Sequence, residues 1–82
     1  MNCGIKRKGK PDLRARFGLA VRKRRQEMGF SQEVLSERAG LHRTYVADVE
    51  RGVRNLSLEN IGKLASAFKL SIAEFFAEYV DE

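Results

Sequence analysis

Arg43, Thr44, Ala47 and Asp48 fall at positions that a helix turns to one edge, and their chemistry is that of recognition rather than turnover. Arg43, Ala47 and Arg51 are spaced by four, as are Thr44 and Asp48, so they share the face opposite Val46 and Val49. One face of such a helix packs and the other is free. On the free face Arg43 offers a planar fork matched to O6 and N7 of guanine, a pairing that gives ~1–3 kcal/mol of discrimination, and Thr44 can hydrogen-bond or meet a thymine methyl. Asp48 is repelled by phosphates unless it accepts from cytosine N4 or is held by a cation such as Arg51, and both roles stand at this point.

Catalysis has no comparable set. His42, the only histidine, is accompanied by no grouping of carboxylate, Cys or Ser, and suits a helix cap or a phosphate neighbour better than an acid–base or metal role. Cys3 is the single cysteine and lies in a polar tail, so neither an internal disulfide nor a three- or four-ligand metal site is expected. The expectation is a non-enzyme with no metal, no cofactor and no small-molecule ligand.

The elements that must position these residues read as helices throughout, because no segment alternates as a half-buried strand does. A first helix is expected from the N-cap Asp12 to about Met28, with Leu13, Phe17, Val21 and Met28 inward and Gly29 as its stop. A second runs from Ser31 to Gly40, burying Val34, Leu35 and Ala39, and a third follows Leu41 to about Arg51, stopped by Gly52. Ser57 caps a fourth with Leu58, Ile61, Leu64, Ala65 and Phe68 on one face. Ser71 with Glu74 three residues on forms a capping-box pattern for a fifth. The fold class is therefore all-α: one compact five-helix domain over residues 12–82, preceded by a basic arm over residues 1–11. Within it, the stretch Ser31–Asn55 holds one helix out as a rod that fits the major groove of DNA.

Charge agrees with an anionic partner, and its distribution says more than the net +5. Residues 1–25 carry ten Lys or Arg against the single acid Asp12, whereas the remainder carries six against ten. Lys6, Arg7, Lys8 and Lys10 of the arm could follow a DNA backbone or enter a minor groove, or serve as a solubilising tail. No apolar run approaches the ~20 residues of a membrane span, and the first ten residues lack the apolar stretch of a secretory signal. No membrane partner and a cytoplasmic, nucleoid-associated location are expected.

Gln32 after a capping Ser31, Ala39-Gly40 in the turn, Tyr45-Val46, Glu50-Arg51-Gly52, Arg54-Asn55 and Ile61-Gly62-Lys63-Leu64-Ala65 together resemble the phage repressor and Cro family of helix-turn-helix regulators. The resemblance covers about residues 13–78 and implies a lambda-repressor-like domain from a bacterium or phage. It implies that Arg43, Thr44, Ala47 and Asp48 read bases from the major groove. It also implies that Gln32, in the first turn of the second helix, meets a phosphate. Beside it, Ser31, His42, Tyr45, Arg51, Arg54 and Asn55 have the character of further phosphate contacts around the reading helix. Glu50 and Arg25 match a buried structural ion pair of the family. Arg24 stands where an apolar residue is commoner, and is expected to lay its stem along the core with its head in water.

The last helix raises the question of assembly. Ile72, Phe75, Phe76 and Tyr79 are more large apolar surface than a small monomer hides, unless one aromatic face packs on the first helix. A homodimer through these four residues would set two reading helices about 34–36 Å apart on a pseudo-palindromic operator. The block HRTYVADVERGVRNLSLENI further resembles the controller proteins of restriction–modification systems. An antitoxin acting as its own repressor, or an adaptor module on the same fold that has lost DNA binding, are the alternatives. RNA polymerase is the further partner a regulator of this kind would touch, and activation or repression depends on where the operator lies.

Overall fold

Helix starts in this chain are set where a short polar side chain takes up an otherwise orphaned amide. The computed structural model describes residues 12–80; the basic arm 1–11, with Cys3, and residues 81–82 lie outside the described residues. Helix α1 spans Leu13–Glu27, and its N-cap Asp12 accepts from the Ala15 amide at 2.9 Å. That bond, aided by the Arg14 guanidinium, holds the Asp12 carboxyl below its ordinary value of 3.8. Ser31, Ser57 and Ser71 cap α2 (Gln32–Ala39), α4 (Leu58–Ala67) and α5 (Ile72–Tyr79), each accepting from the amide three residues on at 3.0 Å. Ser71 also donates its own amide to Glu74 at 2.8 Å, completing a capping box. Helix α3 (Arg43–Arg51) is the exception, because His42 occupies its N-cap position without a side-chain bond.

Apolar residues at helical spacing then determine the packing. Helix α1 lies against α3 and α5, α2 against α3 and α4, and α4 against α5. Phe17 and Val21 from α1, Leu35 from α2, Val46 and Val49 from α3, Leu64 from α4, Phe68 and Phe75 meet at the centre, each essentially inaccessible. Phe75 meets four other rings: edge-on to Phe17 at 5.4 Å and Phe76 at 6.1 Å, and stacked on Phe68 at 5.7 Å and Tyr79 at 5.5 Å. Gly18 brings the backbones of α1 and α3 together: a Cβ there would stand 2.3 Å from the Val49 carbonyl oxygen and 2.8 Å from that of Glu50. Helix α3 is thus held by its inner face and by main-chain contact.

Three sequence expectations are corrected here. Leu13 and Leu58, expected inward, are 55% and 73% exposed, each in the first turn of its helix. The Arg24 head is bound to the fold rather than given over to water. Its Nη2 donates to the Phe68 carbonyl at 2.9 Å and its Nη1 to the Tyr79 hydroxyl at 3.2 Å, satisfying an α4 C-terminal carbonyl and binding α1 to α4 and α5. Tyr79 in turn donates to Glu27 at 2.6 Å, a bond that raises its hydroxyl above the ordinary value of 10.0.

Candidate nucleic-acid interface

The turn between α2 and α3 is tight because Gly40 takes a left-handed conformation (φ 72°), which lets its amide reach the Glu37 carbonyl and the Leu41 amide reach that of Ser36 at 2.9 Å. Helix α3 leaves this turn with Val46 and Val49 buried against α1 and α2. Its opposite edge follows from the periodicity: Arg43 and Thr44 are exposed, and Ala47 and Asp48 are half-buried beside them. Gly52 ends the helix with φ 76°, packed so closely on α1 that a Cβ would meet Ala15 Cα at 2.8 Å.

Beyond Arg43 and Thr44 the edge is organised around one carboxylate. Asp48 accepts from Arg51 Nη2 through Oδ1 and from Arg54 Nη2 through Oδ2, the latter at 3.0 Å. The Arg54 guanidinium also lies over the Tyr45 ring, 4.9 Å from its centroid. Tyr45, Asp48, Arg51 and Arg54 therefore form one cluster that runs along α3 and just past its C-terminal end. Asn55 stands apart from it, accepting from Arg14 Nη1 of α1 at 3.1 Å, so Arg14 joins this surface from across the fold. Sequence reasoning passed over Arg14, since a pairing between residues 41 positions apart leaves no local signal.

On the other flank, Ser31 is engaged as the α2 cap. Gln32, in the first turn of α2, donates through Nε2 to Glu50 Oε1 at 3.1 Å. Glu50 is the best-sheltered carboxylate of the site, its side chain 5% exposed, and it holds Arg25 as a fork: Arg25 Nε donates to Oε2 at 2.6 Å and Nη2 to Oε1 at 3.1 Å. Arg25 Nη1 reaches the Phe30 carbonyl at 2.9 Å. One side-chain network therefore joins α1, the α1–α2 turn, the start of α2 and the end of α3. His42 is exposed at the head of α3.

The assembly face expected from the last helix needs correcting. Phe75 cannot contribute to a dimer interface because it is 0% exposed in the core, whereas Tyr79 is partly exposed while bound to Arg24, Glu27 and the Phe75 ring. The crossing of α5 over α1 and α4 turns Phe75 inward and leaves Ile72 and Phe76 at the margin. Phe76 lines a groove of about 420 Å³ with Leu13, Phe17, Leu56 and Ile61, and the Ile72 side chain lies against Gly62, next along α4 from Ile61. Among the described residues, no three His, Cys, Asp or Glu are grouped to hold a metal ion, and no helix is long and apolar enough to cross a membrane.

Comparison with known proteins places this geometry. The helix-turn-helix family model matches residues 21–75. The control protein C.BamHI of Bacillus amyloliquefaciens is 47% identical over 57 residues, covering 68% of this chain and 70% of that protein. The crystal structure of the restriction-modification controller protein C.AhdI from Aeromonas hydrophila superposes with a TM-score of 0.74 at 48% identity, covering 77% of this chain and 96% of that one. The controller protein C.Esp1396I, solved as a tetramer in complex with its natural 35 base-pair operator, superposes with a TM-score of 0.79 at 28% identity, covering 87% and 93%.

Proposed function

The chain belongs to the helix-turn-helix family, and from that membership we propose that it is a sequence-specific, double-stranded DNA-binding transcriptional regulator of the restriction–modification controller type. The observation that carries the reading is the division of α3. Val46 and Val49 are buried while Arg43 and Thr44 project from the opposite side, leaving an unencumbered edge of the width a major groove admits.

Arg43, Thr44 and Ala47 read bases in this account. Gln32, Ser31, His42, Arg51, Arg54 and Asn55 set register against the backbone, and the Arg25–Glu50 pair keeps α1, α2 and α3 in fixed relation; Tyr45, expected among these contacts, has its hydroxyl buried and serves instead as the platform under Arg54. Two copies associate through the apolar margin of Ile72 and Phe76 with the groove beside it, presenting two reading helices to a pseudo-palindromic operator. The protein works as a regulator rather than as a catalyst, and in the cytoplasm, where bacterial DNA is found.

Selection of bound sites from random duplex DNA tests the reading. The expected outcome is a two-fold symmetric site for the full chain, and for Arg43→Ala a site that tolerates any base at one position per half. Recovery of no preferred sequence by the unaltered protein sinks the proposal; an unchanged preference in Arg43→Ala removes Arg43 from base reading.

A further inference from the structure

We propose that Asp48 determines specificity by acting through Arg51 and Arg54 rather than by touching a base; the inference rests on the DNA-binding reading above. Its side chain is 19% exposed, against 67% for Arg51 and 43% for Arg54. Each carboxylate oxygen accepts from one guanidinium, and with the more exposed arginines lying over it a cytosine amino group approaching from outside meets them first. Arg54 is fixed a second time by the Tyr45 ring beneath it. Arg51 and Arg54 are therefore two cations sharing one anion, in set positions.

Two consequences follow. Attraction to arbitrary duplex depends on phosphate charge and on the counterions released when cations neutralise it. An anion beneath two of those cations lowers affinity for every sequence alike. A duplex whose backbone is placed to meet both preset guanidiniums recovers the loss, since neither side chain has to be ordered on binding. Asp48 thus widens the gap between the operator and all other DNA.

Asp48→Asn and Asp48→Glu, each in the full chain, test this by fluorescence anisotropy on the selected operator and on a scrambled duplex over a range of salt. Thermal melting alongside verifies that each variant is folded. Asp48→Asn is expected to bind scrambled duplex about fivefold more tightly per protomer, the scale of one solvated charge contact. It should also steepen the dependence of log K on log salt by about one unit and gain less on the operator, so that the specificity ratio falls. Asp48→Glu, which keeps the charge, should stay near the unaltered protein on scrambled DNA. Unchanged scrambled-duplex affinity in Asp48→Asn overturns the inference, and so does a new preferred base in a repeated selection, which would make Asp48 a base reader. Absence of operator preference in the unaltered protein would instead overturn the DNA-binding reading beneath it.

Discussion

Arg25→Met is the most telling perturbation of the scaffold. Arg25 and Glu50 are 13% and 5% exposed, and three hydrogen bonds leave the guanidinium: two to Glu50 and one to the Phe30 carbonyl. Methionine fills much of the volume but leaves the Glu50 carboxylate sheltered, with the Gln32 amide as its one remaining donor among those bonds. Removing one partner of a buried pair costs ~3–5 kcal/mol. Small domains hold only about 5–15 kcal/mol in total, and about 4–8 °C of melting temperature accompanies each kcal/mol at this size. A fall of roughly 12–40 °C is therefore expected. Arg25→Met/Glu50→Leu carries neither charge and should recover most of the loss, because a buried pair exchanged for apolar groups is often neutral. Urea and thermal unfolding followed by circular dichroism measure all three proteins. A loss below ~1 kcal/mol for Arg25→Met would show that the pair is effectively solvated, and a double variant no better than the single would show that geometry rather than charge is at stake.

Two further outcomes are expected. Gly18→Ala should destabilise the domain by at least the ~1–3 kcal/mol of an overpacked core, since the added methyl would stand 2.3 Å from the Val49 carbonyl oxygen; an unchanged melting temperature refutes the close approach of α1 and α3. Ile72→Asp should shift sedimentation toward monomer and weaken operator binding while helicity is kept, and an intact oligomer would place the interface elsewhere.

What could be read from the chain was what depends on nearby residues. Ser31, Ser57 and the Ser71–Glu74 box mark helix starts because each bond spans three positions, and Gly40 and Gly52 mark stops because each left-handed residue ends its own helix. The inner and outer faces of α3 follow from its period alone. Where two helices cross does not. Phe75, Phe76 and Tyr79 lie within little more than one turn, and only the angle of α5 over α1 and α4 decides that Phe75 goes to the core and Tyr79 to Arg24. Asp48 shows the same limit on a smaller scale. Its partner Arg51, one turn along, is visible in sequence, but Arg54 returns to it only because the chain bends back after Gly52.

The division of α3 into a buried and an open side also bears on how such a chain can change. Arg43 and Thr44 lie outside the packed interior, so substitutions there are not opposed by the need to stay folded. With Arg43 and Thr44 as the proposed base readers, the address that the protein recognises can drift, or be rewritten by exchange of a few surface residues, while the scaffold is inherited intact. Asp48 restrains that freedom, because replacing it alters the grip of two neighbouring arginines together.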